Sequence, residues 1–485
     1  MEMQIVWFCQ LSTREPVTMS TFKSDPIFSL EFFTKKSTIL AGILILAIAL
    51  RLYHYVANPL WIDECWTLYV SQHSWIEIPF LDVHPPIHYW LVKIVTMAFG
   101  VSEAVVRMPA LIFGIISVAV IYFFTVEFTG SEWAGLVAAG LLAVSRDAVF
   151  HAQDARSYTI WITVFMLFAI AYFRAIRTPE NRNLWIITGA LAGLCMWVHY
   201  WSIFPLAIMG LYAMWRCRKQ IKSMVYGFVV FIGLFIPLVP IFIRGITIKS
   251  NEGWTIFHPW NVILQNTWLE FSNYDTVLAI MFGILTILGL HTLIERRERL
   301  QQFEIAVMLI VGTAVVFLAT SPWFMTIPKY AMYLVPFVYA LIGLGLCSAL
   351  TPYATGNKWV AFAGIWLLVV MAATPLTGYY EQTNRDGWYD NDAQLSKLTG
   401  GGPVAVLANP GLAMQWDYYY SGESEPFATM DGLTHIIAGQ NGTYVFVPAN
   451  DVPPDMAEAQ QIDRFLRENG VPVGSHRGFN GWYVG

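Results

Sequence analysis

Apolar stretches separated by short charged segments dominate the chain as far as residue 378. Runs at 37–56, 105–127, 132–146, 157–176, 184–199, 201–215, 221–243, 276–294, 303–319, 330–350 and 357–378 predict about eleven membrane-crossing helices, because roughly 20 apolar residues at a helical rise cover the hydrocarbon core. The first run follows Lys35 and Lys36 and lacks a small-residue cleavage site, so it reads as a retained span rather than a signal peptide. Residues 86–99 open with Pro85-Pro86 and carry His88 and Lys93. They are short and polar for a crossing, and an interfacial or re-entrant helix is expected there. Beyond 378 the pattern changes. Short β-like runs at 404–408 and 443–447 alternate with a charged helical stretch at 455–468, punctuated by Gly and Pro, which predicts a small soluble α/β domain.

Positive charge sets the expected orientation, since cytoplasmic loops retain Lys and Arg. With the N-terminus inside, the inner loops carry Arg174, Arg177 and Arg182, then Arg216, Arg218, Lys219 and Lys222, then Arg296, Arg297 and Arg299. Counting 86–99 as a crossing would invert all three. The expected domains are a cytoplasmic segment 1–36, a transmembrane body 37–378 and an extracytoplasmic α/β domain 379–485. The body places loops 58–104, 147–156 and 244–275 outside. An acceptor sequon, Asn441-Gly442-Thr443, falls on the outer side.

Composition sharpens the class. Of 485 residues, 56% are hydrophobic and 13% charged, about half the usual charged share, and the mean hydropathy is +0.52. The chain is expected to be an integral membrane protein, in the cell (plasma) membrane. Net charge is −5 without a polybasic tail, which argues against a nucleic-acid partner. Five scattered cysteines without a C-x-x-C pair exclude a disulfide framework and a structural zinc site as organising devices.

Basic residues break the outer-loop rule at Arg107, Arg146, Arg156, Arg244, Lys249 and Lys329, and Asp63, Glu64, Asp82, Asp147 and Asp154 share those loops. Opposed charges gathered at one membrane face suggest a polar site that holds an anion. Each motif also has a plain structural reading. Asp63-Glu64 supplies a general base or an N-cap with a dipole-favoured neighbour. Adjacent helical residues point about 100° apart, so one of the two is expected in the site. His84-Pro85-Pro86 is a rigid turn or a donor to phosphate or sugar. Arg107 snorkels or forks onto a phosphate or a loop carboxylate. Gln153-Asp154-Ala155-Arg156-Ser157-Tyr158 caps the next helix, or offers a base, a phosphate clamp and a hydroxyl. His199-Tyr200-Trp201 and Lys329-Tyr330 anchor at the interface or touch a lipid phosphate.

The order of these motifs resembles the polytopic GT-C glycosyltransferases, in their protein O-mannosyltransferase and aminoarabinose-transferase-like branch. The resemblance rests on Trp61-Ile62-Asp63-Glu64, His84-Pro85-Pro86-Ile87-His88-Tyr89-Trp90 and Arg107-Met108-Pro109-Ala110-Leu111. It continues through Gln153 to Tyr158, Trp197-Val198-His199-Tyr200 and Lys329-Tyr330, and covers roughly 38–350. It implies a mainly α, polytopic GT-C fold. The implied enzyme takes a sugar from a polyprenyl-phosphate-linked donor on the outer face and passes it to an acceptor hydroxyl on protein, lipid or glycan.

Carried over residue by residue, Asp63 matches the catalytic acid of the first loop, with Glu64 beside it, and Asp154 the second acidic position. Arg107, Arg156, Lys329 and His84 are expected at the donor phosphate, and Tyr158, His88, His199 and Tyr330 around the substrate. His84 stands where some members have lysine, and Lys329 where many have arginine, which bears on bidentate phosphate binding. The chemistry agrees with the residue reading. Cations at the phosphate stabilise the leaving group while a carboxylate activates the nucleophile from the far side, which inverts the anomeric carbon. A divalent metal is compatible with these hard oxygen ligands, though no spacing demands it. The competing class is a transporter or flippase of a lipid-linked sugar, with charges along a path. Its expected paired halves with broken helices are absent from the sequence. A receptor built around the C-terminal domain would need no outer carboxylates beside arginines.

Overall fold

A computed structural model describes residues 30–250, 259–321, 326–354, 358–384, 388, 391–400, 402–407, 410–420, 424–439, 442–448, 456–476 and 479–485. Asn441 of the sequon and the Lys249 side chain lie outside the described residues. The chain divides into residues 1–42 and 43–485. Of the first, only the start of the Leu30–Leu52 helix is described, and all that follows concerns the second.

Each apolar run named above is helical over most of its described residues. Among the described residues, seven helices are long and apolar enough to cross a membrane: Glu103–Thr129, Tyr158–Arg177, Arg218–Gly245, Thr276–Glu295, Arg297–Thr320, Pro328–Pro352 and Ala363–Tyr380. The bent pair Glu132–Val144 and Arg146–Ala152 makes an eighth if counted as one, against the expected eleven. Of the three runs outside that count, 37–56 lies in the 23-residue helix Leu30–Leu52, and the other two are short. Runs 184–199 and 201–215 form helices Arg182–Val198 and Ile203–Arg216 of 17 and 14 residues, below a full crossing at 1.5 Å per residue. The interfacial stretch is the 13-residue helix Ile87–Phe99.

Glycines let the helices approach closely. A Cβ on Gly189 would lie 2.0 Å from Gly227 O, and one on Gly345 2.0 Å from Leu285 O. Small residues at such crossings are how apolar helices gain packing in lipid, where the hydrophobic effect does not drive association.

The Glu103–Thr129 helix orders the two ends of the body. Ser102 caps its start by accepting from Val105 N, and Gly130 closes it in the left-handed region at φ 73. Near its end Glu127 pairs with Arg174 and Arg177 and its carbonyl accepts from Arg299, while Thr129 O accepts from Arg296. Two of the three basic loops therefore meet at one end. Arg107 and the acidic loops occupy the other, about 30 Å from Glu127 along the 27-residue helix.

One break in the helical pattern shapes the site. The chain bends by 62° at Ser145, and Ser145 Oγ caps the new helix through Ala148 N. The bend strands carbonyls at the end of Glu132–Val144. Arg51, fully buried, donates to Leu142 O and Ala143 O, each at 3.0 Å. Asn273, at φ 57, accepts from Ser145 Oγ and Arg146 N. The second helix is thereby aimed at the stretch 153–157.

Toward the C-terminus lie strands β1 (Val404–Leu407), β2 (Ser424–Phe427), β3 (Thr443–Pro448), β4 (Val471–His476) and β5 (Phe479–Val484) in the order β2-β1-β3-β5-β4. β1 runs parallel to β2 and β3, and β5 antiparallel to β3 and β4. Alternation along β1 splits the core. Ala405 and Leu407 pack with Leu433, Ile462 and Leu466, whereas Val404 and Val406 pack with Trp416, Phe446 and Phe479. β2 and β4 carry Pro426, Pro472 and Gly474, so they sit at the sheet's edges and give little strand signal.

Candidate functional site

The first loop builds the site around Glu64. Glu64 closes the start of helix Ile62–Gln72 by accepting Trp61 N on Oε2 at 3.2 Å. The Glu64 carboxylate, 1% exposed, accepts Arg107 Nε on Oε1 at 2.7 Å and Arg107 Nη2 on Oε2 at 2.6 Å. Oε1 also accepts Ala155 N at 2.9 Å. Arg107 spends its remaining donors on the carbonyls of Tyr55, Asn58 and Pro59. This bidentate pair thus ties the first loop, the Glu103–Thr129 helix and the 153–157 stretch into one knot.

Two expectations change. Glu64 has no free lone pair aimed at a substrate, and Arg107, 3% exposed, has no donor left for a phosphate. One residue earlier, Asp63 points elsewhere, as the 100° helical step requires. Its side chain is 38% exposed, and Arg156 Nη2 stands 3.9 Å from Oδ2.

Asp154 faces the same knot from the opposite loop. Trp61 Nε1 donates to its Oδ1 at 2.8 Å. Burial opposes its ionisation, but His151 beside it, the Trp61 donor and the Arg156 charge hold the carboxyl below the usual range. It is 3% exposed, so Asp63 is the accessible carboxylate of the two. Asp63 and Asp154 are nevertheless neighbours, because Trp61 and Arg156 reach across between their loops.

His84 and Asp82 form a second pair, Nδ1 to Oδ2 at 2.9 Å, and the Tyr89 hydroxyl donates to the same oxygen. Burial would raise the Asp82 carboxyl, but His84, Arg156 and Tyr89 keep it well below the ordinary range. His84 keeps 28% of its side chain exposed. His88, expected beside the substrate, is instead a buried peg: its Nε2 donates to Ala155 O at 2.6 Å, and burial lowers its pKa to about 4. Such a histidine is neutral and supports the loop from beneath.

The remaining expected residues form an aromatic wall. His199 stacks on Trp161 with centroids 4.0 Å apart, and Tyr330 stacks on Trp201 at 4.6 Å. Lys329 Nζ lies 5.2 Å over the Tyr158 ring, a cation–π contact that leaves its charge beside the Arg156 region. Asp63 faces Arg156, Asp82 faces His84, and among the described residues no group of three or more His, Cys, Asp or Glu is placed to hold an ion.

Several positioning residues have partners that the sequence does not show. Gln153 donates to the carbonyls of Arg51 and Tyr53 and accepts from Tyr379. From the sheet region, Tyr419 accepts Leu60 N at 2.6 Å and donates to Glu103, and Gln415 Nε2 donates to Leu60 O at 2.7 Å. Both polar groups of the Leu60 peptide, three residues before Asp63, are held from a segment more than 350 residues downstream. Arg51 was legible only as a cation in the last turn of a span.

This geometry stands beside likenesses to known proteins. Residues 83–243 match the family model for dolichyl-phosphate-mannose-protein mannosyltransferase. ArnT from Cupriavidus metallidurans in the apo state superposes with a TM-score of 0.59 at 13% identity, over 93% of this chain and 98% of that one. The chain has the GT-C fold. The same ArnT bound to undecaprenyl phosphate gives 0.57 at 12% identity, with the same coverage. Archaeal oligosaccharyltransferase AglB from Archaeoglobus fulgidus, in complex with an inhibitory peptide and a dolichol-phosphate, gives 0.55 at 11%, over 94% of this chain and 75% of AglB. No curated protein matches the sequence. Within the GT-C fold, the matched segment holds His84, Arg107, Asp154 and Arg156 but begins after Asp63.

Proposed function

We propose that this GT-C protein is an inverting glycosyltransferase that moves a sugar from a polyprenyl-phosphate donor to an acceptor hydroxyl on protein, lipid or glycan. The carrying observation is the contrast within the first loop: Glu64 is locked on Arg107 while Asp63 stays exposed beside Arg156. Asp63 takes the proton of the attacking hydroxyl as its oxygen bonds to the anomeric carbon. The bond from that carbon to the phosphate oxygen breaks, and polyprenyl phosphate leaves with the electron pair. Arg156 and Lys329, with His84 beside them, face the charge that grows on the phosphate. The polyprenyl phosphates carried by ArnT and AglB support this choice of donor.

Position supports the reading too. Arg174, Arg177, Arg296 and Arg299 gather at the opposite end of the Glu103–Thr129 helix, and the positive-inside rule puts that end in the cytoplasm. The site and the sheet domain then face the outside of the plasma membrane, where an isoprenoid can stay in hydrocarbon while its phosphate meets the cations. Release of polyprenyl phosphate from a radiolabelled glycosylated carrier, in detergent with acceptor, is the test. Carrier binding or transport without release would defeat the proposal.

Two further outcomes are expected. Chelation with EDTA leaves the release rate unchanged, because the site's carboxylates face cationic side chains instead of a shared ion position; a rate restored only by Mg²⁺ or Mn²⁺ would refute this. Tyr419→Phe frees the Leu60 N–H and lowers kcat by about tenfold or more with the donor KM little changed, since small displacements of a reacting group are costly. An unchanged kcat would show that the sheet region does not set the Asp63 position.

A further inference from the structure

We propose that Asp82 is a positioning residue for the donor phosphate: it holds the Nδ1 proton of His84, so that His84 meets the phosphate through Nε2 and donates to it only as the imidazolium. The inference rests on the reading of the chain as a polyprenyl-phosphate glycosyltransferase and adds proton control to that site. His84 Nδ1 lies 2.9 Å from Asp82 Oδ2, and the Tyr89 hydroxyl donates to the same oxygen. The Asp82 side chain is 11% exposed and Tyr89 is 2% exposed, so both are set within the fold. Pro85 and Pro86, both buried, fix the backbone that follows the ring.

The tautomer follows from the partner. Burial opposes the Asp82 charge, but His84, Arg156 and Tyr89 outweigh it and hold the carboxyl ionised. An ionised carboxylate only accepts hydrogen bonds, so Nδ1 carries the proton. In the neutral ring Nε2 is then a bare lone pair, which repels an anion. A second proton turns the same atom into a charge-assisted donor. Asp82 thus denies His84 the neutral tautomer that could serve a phosphate, and one proton decides whether the ring opposes the anion or holds it.

With Nδ1 taken, Nε2 is the nitrogen that remains for a ligand, on a side chain that is 28% exposed. The His199 ring lies 6.5 Å from that of His84 and 5.7 Å from that of Tyr158, over which Lys329 sits. His84 therefore adjoins the cations assigned to the phosphate. The other charged or titratable groups around the pair come from four elements. Arg156 of the 153–157 stretch acts on Asp82, and His88 and Tyr89 belong to the helix Ile87–Phe99. Tyr200 follows His199 and feels the Asp82 charge, and Arg244 donates its Nε to Phe80 O.

The test measures binding of undecaprenyl methyl phosphate to the purified full chain in detergent from about pH 5 to about pH 8, the range of histidine titration. This diester carries one negative charge throughout, as the donor's phosphate does. Wild type is expected to lose about tenfold or more in affinity as the pH rises, the scale of one charge-assisted hydrogen bond. The sign follows from the ring: the imidazolium that holds the anion is present at the acid end and lost toward the alkaline end. His84→Lys keeps a cation throughout and should bind with a flat profile. Asp82→Asn should show a fall that starts at lower pH and ends shallower. Its amide no longer favours the imidazolium, yet can donate to Nδ1 and leave the ring's remaining proton on Nε2. Tyr89→Phe removes a competing donor from Asp82, should move the fall to higher pH, and covers the case in which Asp82→Asn fails to fold. A wild type with a flat profile, or one that binds the diester at no pH, would overturn the inference. So would a fall that persists in His84→Lys, or a profile that Asp82→Asn or Tyr89→Phe leaves unchanged. Phosphate release judges the enzymatic reading separately. A chain that shows these profiles but releases nothing defeats that reading and leaves the Asp82–His84 assignment standing, and release with a flat binding profile does the reverse.

Discussion

Asp63→Asn is expected to lower polyprenyl phosphate release by about 10²–10⁴-fold, the usual share of a general base, while the protein folds and binds carrier lipid as before. The amide keeps the size of the carboxylate but cannot accept the acceptor's proton. Little structure is lost with the charge. The side chain is 38% exposed and its cationic neighbour Arg156 is 3.9 Å away, a separation at which an ion pair adds little to stability. Asp154→Asn is the informative control. Its carboxylate receives Trp61 Nε1, so that variant should disturb loop packing and activity together. Single-turnover release with saturating donor, read beside equilibrium carrier binding, separates the two residues. Wild-type turnover in the Asp63 variant would remove Asp63 from the base role.

The second large effect concerns stability. Arg107→Met and Glu64→Leu are each expected to destabilise the body by about 3–5 kcal/mol, the cost of leaving one member of a buried ion pair alone. The side chains are 4% and 1% exposed, so water cannot replace the lost partner. Arg107 also supports three carbonyls of the loop that carries Asp63, so its loss should release that loop before the spans separate. The double variant is expected to lose less than the sum of the singles, because no isolated charge remains. Unfolding titrations in sodium dodecyl sulfate measure all three. Single variants that cost less than about 1 kcal/mol would show that the pair is dispensable.

These two expectations divide adjacent residues that look alike in the sequence. Asp63-Glu64 offered a base or a cap, and the helical step alone said that one of the two would enter the site. It did not say which. Arg107, 43 positions away from Glu64 in the chain, decides it by engaging Glu64. His88 shows the same limit: a histidine in a polar motif beside prolines reads as a ligand contact until Ala155 O is found on its Nε2. The Leu60 clamp from Tyr419 and Gln415 was unreadable, since a glutamine and a tyrosine in an amphipathic helix carry no mark of a distant partner.

What the sequence determined by itself is whatever depends on local pattern and solvent. Apolar length fixed the helices, because backbone polar groups in hydrocarbon must be satisfied within their own segment. The placement of arginine marked one end of the body, because charge is costly to carry across a membrane. Short β-like runs at 404–408 and 443–447, set off by Gly and Pro, marked two of the strands. Tertiary structure alone decided the bend at Ser145, the capture of the stranded carbonyls by Arg51, and the division of labour between Asp63 and Glu64. Each of these depends on which buried polar group finds a partner from elsewhere in the chain, and the energy of such pairing is set by burial and distance in space.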